Sequence, residues 1–113
     1  KVTAGGDTWV TFQVSMQNDS ATSGDTFLVD ADGAANSHFT VKYLKGTEVI
    51  TDAVESGDHE SLITSPGNDR TIKVRIKIKA GAVSGERLTR TIRITSTTDP
   101  TKVDVVKVVA ERR

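Results

Sequence analysis

The chain has no cysteine, which excludes a disulfide framework, a thiolate nucleophile and a thiolate metal site. It also lacks any long apolar run, since uninterrupted stretches reach only a few residues; nothing in it spans a membrane as a helix. No charged-then-apolar leader opens it and its first residue is not Met, so it reads as a segment excised from something longer. No amphipathic pattern reaches three helical turns; "DAVESGDHE" has room for one short turn at most. Histidine is scarce, with 2 in 113 residues, and neither has a His or Cys at ligand spacing, which argues against zinc. Many Ser and Asp residues are present, but no Gly-x-Ser-x-Gly elbow positions one as a nucleophile. The expectation is a protein that is not an enzyme and carries no cofactor.

What is present is alternation. In "TWVTFQVSMQN", residues 8–18, Val10, Phe12, Val14 and Met16 share one face, with Thr11, Gln13, Ser15 and Gln17 opposite. In "HFTVKYL", Phe39, Val41 and Tyr43 alternate with Thr40, Lys42 and Leu44. "IKVRIKIK" (72–79), "RLTRTIRITS" (87–96) and "VDVVKVVA" (103–110) are longer strands; "TFLVD" (26–30), "TEVIT" (47–51) and "ESLIT" (60–64) are shorter candidates. Thr, Val and Ile recur throughout, and β-branched side chains suit a pleated, half-buried surface. Polar turn signals separate the runs: "NDSATSGD", "DADGAANS", "KG", "SPGN", "AGAVSG" and "TTDPTK". At this length the chain forms one domain over residues 1–113, able to bury roughly 65% of the surface its unfolded form exposes. The fold class expected is all-β, an immunoglobulin-like antiparallel β-sandwich of seven to nine strands. The strand at 71–79 is expected to pair with that at 8–18, and the strands at 87–96 and 103–110 to be neighbours in the other sheet.

"GGDTWVTFQVSMQND", followed by "SPGNDRTIKVRIKIKAGAVSGERLTRTIRITSTTDPTKVDVV", resembles the immunoglobulin-like extracellular modules of bacteria and archaea, the CARDB and NEW3-like group. The matching pieces are Gly6-Asp7, Asn18, Pro66-Gly67, the loop from Gly81 to Gly85, and Thr95-Ser96. The resemblance implies a non-catalytic structural or spacer module of a secreted or cell-surface bacterial protein. Its partners would be neighbouring domains of the same chain. The alternative it leaves open is an accessory binding module for carbohydrate or polyanion. These matches are marks of a fold, and a fold alone fixes no function.

Charge is where the chain departs from that pattern. Its net charge is zero, yet residues 1–69 hold three Lys or Arg against eleven Asp or Glu, and residues 70–113 hold twelve against four. Four of those cations, Lys73, Arg75, Lys77 and Lys79, line one side of a single strand. Same-face neighbours on a strand lie about 6.7 Å apart. Each adjacent pair therefore repels by only about 0.6 kcal/mol in water. A sandwich carries that easily, the more so if carboxylates on a neighbouring strand lie alongside. A solvated outward face is the expected reading, ahead of a polyanion surface and ahead of docking to an acidic neighbouring domain. Nucleic acid is disfavoured, because this strand has no stacking aromatic side chains.

Three further features have two readings each. Asp30, Asp32 and Asn36, in and after "DADG", supply three or four of the six to eight oxygens a calcium ion takes, with Asp25 nearby in sequence. The spacing departs from the EF-hand, with Gly33 too early and no closing Glu, and Asx and Gly also build turns unaided. The turn is the favoured reading. His38 and His59 abut strand ends and are expected to face solvent. Trp9 falls opposite Val10 and Phe12, which would turn it outward for stacking on a sugar or a neighbouring domain. Strand starts are irregular, however, and a Trp9 that caps the bottom of the core is the favoured placement.

Overall fold

The computed structural model describes residues 1–18, 24–57, 59–61 and 64–113. In chain order the elements are β1 (Val2–Ala4), β2 (Thr8–Gln17), β3 (Phe27–Asp32), β4 (Phe39–Lys45), β5 (Glu48–Val49), α1 (Thr51–Ser56), β6 (His59–Glu60), β7 (Asp69–Ile78), β8 (Arg87–Ser96) and β9 (Val103–Arg112). They form two packed sheets, ordered β1-β9-β8-β3-β6 and β2-β7-β4-β5. The chain is therefore an all-β sandwich of immunoglobulin-like arrangement. β2-β7-β4 stand where such a fold has strands B, E and D, and β3-β8-β9 where it has C, F and G. One pair departs from the antiparallel expectation, because β1 runs parallel to β9 in the register Val2↔Ala110.

Strict alternation decides the register of the longest strands. Residues Thr8 to Gln17 of β2 pair without a break against Ile78 to Asp69 of β7. β4 takes the other side of β7, with Phe39 opposite Ile78 and Val41 opposite Ile76. Ile72, Val74, Ile76 and Ile78 consequently all point inward and are fully buried. They meet Val29, Leu88, Ile92, Ile94 and Val108 from the other sheet in one continuous core. Each such Val or Ile contributes about 1.5–3 kcal/mol on full burial. A one-residue slip would turn every one of them into water, so the register is fixed by the core. β8 and β9 are neighbours as expected, from Arg87↔Glu111 to Thr95↔Val103.

The short segments follow tertiary burial instead of local pattern. "TEVIT" yields only the two-residue β5, after which the chain turns into α1, six residues long. Val54, wholly buried, anchors that helix to the core. Gly57 ends it in a left-handed conformation (φ 79°), its amide donating to the Val54 carbonyl at 3.2 Å. β6 covers His59–Glu60, and residues 62 and 63 of "ESLIT" lie outside the described ones, as do 19–23 of "NDSATSGD".

Two motif pieces far apart in sequence form one lock. The Asn18 amide donates to the Asn68 carbonyl at 3.0 Å, and the Gly67 amide donates to the Asn18 carbonyl at 2.9 Å. The buried Asn18 carboxamide also donates to the Thr64 carbonyl at 2.8 Å. Asn18 therefore ties the end of β2 to the Pro66-Gly67 turn that feeds β7, where Gly67 adopts φ 76°.

Candidate functional site

The alternation that buries Ile72 to Ile78 leaves a second, wet face on the same sheet. From β7 it presents Lys73, Arg75 and Lys77, with Lys79 just beyond the strand end. β2 adds Trp9, Thr11 and Gln13, paired with Lys77, Arg75 and Lys73 respectively. β4 adds Thr40, Lys42 and Leu44 opposite the same three cations. The result is a face built from β2, β7 and β4 on which Lys42 joins the ladder from a neighbouring strand.

Trp9 lies on the terminal strand of this face, with two cations over its ring. The Arg75 guanidinium lies 4.8 Å from its ring centroid and the Lys42 ammonium 5.4 Å. Its placement corrects the expectation that it caps the core: β2 is regular from Thr8, so alternation holds to its first residues and Trp9 faces outward. Each cation–π contact contributes about 0.5–1 kcal/mol at an exposed site. That offsets the repulsion between Lys42 and Arg75, which stand directly opposite each other across the β4–β7 pair. Among the described residues, carboxylates flank the ladder near its ends. Asp7 pairs with Lys77 at 3.2 Å, and Asp69 begins β7 on the same side. The remaining outward side chains of β2 and β4 are neutral or basic.

Other acids of the front half lie elsewhere. Asp30 and Asp32 project from the outer face of the other sheet, where Arg93 binds both, at 3.1 and 3.8 Å. They stand on β3 itself and not in a loop, because β3 runs on to Asp32. Asn36 is not with them. Its Oδ1 accepts the His38 amide at 2.9 Å and its Nδ2 donates to Glu86 at 2.8 Å. The residues offered for calcium thus divide between two sites, Arg93 occupying the first and Glu86 organising the second. Among the described residues no group of three or more His, Cys, Asp or Glu is placed to hold a metal ion. Saturating Ca²⁺ is accordingly expected to leave the melting temperature where a chelator leaves it, since a ligand bound only by the folded state would raise it. A rise that Asp32→Ala abolishes would restore the calcium reading.

The two histidines differ. His38 is half exposed and its Nδ1 lies 2.9 Å from Glu86 Oε1. The Val83 amide, the Asn36 carboxamide and the His38 ring together hold the Glu86 carboxyl down at about 2. His59 is buried, contrary to expectation, because β6 hydrogen-bonds to β3 and sets His59 opposite Val29. Burial, with Lys45 adding to it, pushes its ring below the usual imidazole range and favours the neutral form.

Two buried polar groups are structural features that sequence reasoning missed. Asp25 accepts from the Ser96 hydroxyl at 2.5 Å; burial raises its pKa, but the Ser96 and Thr98 hydrogen bonds outweigh that and leave it lowered. Arg90 points into the sandwich from β8 and donates to the Ala34 carbonyl at 2.8 Å. In "RLTRTIRITS" the alternation does place Arg90 with Leu88 and Ile92, and that register was the available signal. Burial pushes the nearby Tyr43 phenol up to about 12.

No protein-family model matches this chain, and no curated protein matches it. Among the described residues no helix is long and apolar enough to cross a membrane.

Proposed function

We propose that the domain is a non-catalytic accessory module that holds an acidic polysaccharide against the β2–β7–β4 face. The observation behind this is the union of Trp9, Lys42, Lys73, Arg75 and Lys77 on one sheet face where, among the described residues, carboxylates stand near its ends. A merely solvated ladder was the expectation because a sandwich carries such repulsion easily with carboxylates alongside; here Asp7 reaches Lys77, and Lys42 adds a further cation opposite Arg75. Like charges held opposite each other favour an anion that bridges them, and the planar Arg75 fork suits carboxylate or sulfate groups. Because the cations cover the Trp9 ring, it is a poor platform for nucleobases, which disfavours nucleic acid. The resemblance to extracellular immunoglobulin-like modules supports a setting in a secreted or cell-surface bacterial protein.

A salt gradient on an immobilised sulfated glycan tests the reading. Wild type is expected to elute above about 0.15 M salt, where exposed charges are screened within about 8 Å. A variant with Lys73, Arg75, Lys77 and Lys79 changed to Thr is expected in the unretained fraction. Elution of wild type well below that salt would leave the ladder a solvated face. It would also favour the second reading, a spacer that positions neighbouring domains, for which the 49 × 23 × 21 Å shape is suited.

A further inference from the structure

Trp9, Arg75 and Lys42 come from three different strands, and their meeting decides which anions the β2–β7–β4 face can grip. Trp9 is on β2 and Lys42 on β4, with β7 between them. Two strand spacings separate those backbones by about 9–10 Å. The Lys42 ammonium nonetheless lies 5.4 Å from the Trp9 ring centroid and the Arg75 guanidinium 4.8 Å from it, so the three side chains meet above β7. Among the described residues no carboxylate pairs with Arg75 or Lys42, and the ring is their common partner.

Two cations directly opposite each other on neighbouring strands repel, and unrestrained Lys and Arg side chains would swing apart into water. The negative face of the indole draws both back. They therefore stand as a pair before any ligand arrives, which lowers the ordering cost that a bound anion otherwise meets. The charges on this face also do not lie in one line. Lys73, Arg75 and Lys77 run along β7 at intervals of about 6.7 Å, whereas Lys42 stands across from Arg75 on β4. A glycan with one carboxylate per sugar on one side of its chain can match the β7 row and leaves Lys42 unanswered. A glycan with anionic groups on both sides of its chain answers β7 and β4 together.

We propose that Trp9 is a positioning residue that presets Arg75 and Lys42 as one subsite, and that this subsite selects densely sulfated glycans over polyuronates. The inference rests on the acidic-polysaccharide reading of the face and adds its selectivity. Trp9 acts through the two cations it holds. Lys73 and Lys77, outside the pair, serve either kind of glycan.

Titration calorimetry with a heparin fragment and a polygalacturonate fragment of equal length, each over a range of salt, tests this. Wild type is expected to bind the heparin fragment at least about tenfold more tightly. Trp9→Thr should lose about five- to tenfold toward heparin and stay within about twofold toward polygalacturonate. Its heparin affinity should keep the wild-type salt slope, since that slope counts the cations engaged and none is removed. Arg75→Thr, which does remove one, should flatten the slope by about one contact. Trp9 is partly exposed and Thr suits a strand, so Trp9→Thr should fold. If it does not, Trp9→Phe, whose ring attracts cations more weakly, should show the same pattern with a smaller loss. Equal losses toward both glycans, an unchanged heparin affinity, or a slope that flattens as in Arg75→Thr overturns the proposal. Wild type that binds both glycans equally overturns it too and leaves the acidic-polysaccharide reading standing. Wild type that binds neither overturns both.

Discussion

Ile76→Lys is expected to unfold most of the population, whereas Lys77→Thr leaves stability nearly unchanged. Ile76 is 0% exposed and sits between Val10 and Val41 on adjacent strands. Loss of a buried Ile side chain alone costs about 2–5 kcal/mol. The ammonium that replaces it finds no partner among Val74, Ile78 and their neighbours, and an unpaired buried charge adds several kcal/mol or forces the group to deprotonate. Against a total of about 5–15 kcal/mol for a domain, that change is most of the stability. Lys77 is one residue along and on the wet face; its pair with Asp7 is exposed, and such pairs contribute about 0–1 kcal/mol. Urea melts of the two variants measure the difference directly. Equal shifts in midpoint would mean that the inward and outward faces of β7 are wrongly assigned.

Gly33→Val is expected to cost about 3–5 kcal/mol, from backbone strain together with a displaced buried charge. Gly33 follows β3 at φ 147°, a conformation side-chain-bearing residues rarely adopt. A Cβ there would lie 2.5 Å from the Thr89 carbonyl oxygen and 2.8 Å from Arg90 Nη1. The carbonyl belongs to β8 and cannot retreat without breaking the sheet. Arg90, 9% exposed, would have to leave the Ala34 carbonyl that its guanidinium donates to. Gly46 is the matched control, with φ 62° and nothing within 4 Å of the added atom, so Gly46→Ala should cost only about 1–2 kcal/mol. Thermal melts should therefore separate the two by about 10 °C or more. Similar melting temperatures would show that the Arg90 contact is not what makes glycine necessary at position 33.

The strands legible in the sequence were those whose alternation is long. "TWVTFQVSMQN" and "IKVRIKIK" each carry four apolar residues at period 2, and burying one row of each fixes both register and pairing. The pairing of β8 with β9 follows from two such runs separated by a short loop. Shorter segments carried too little pattern. In "TEVIT" the β-branched residues favour a strand locally, yet burial of Val54 against the core makes the next residues a helix. β1 was not legible either, because three residues cannot show a period.

By itself the sequence determined the two-layer β architecture, the inward rows of β2, β4, β7 and β8, and the existence of a cationic strand face, since each depends on side-chain alternation along one strand. Only the tertiary structure decided what lies beside that face. Neighbours across a sheet come from distant parts of the chain, so no local pattern put Lys42 and Trp9 next to Arg75, or sent Asp30 and Asp32 to the opposite sheet. The same is true of Arg93 between the two aspartates and of His59 behind β3, where strand order sets electrostatic environment and burial.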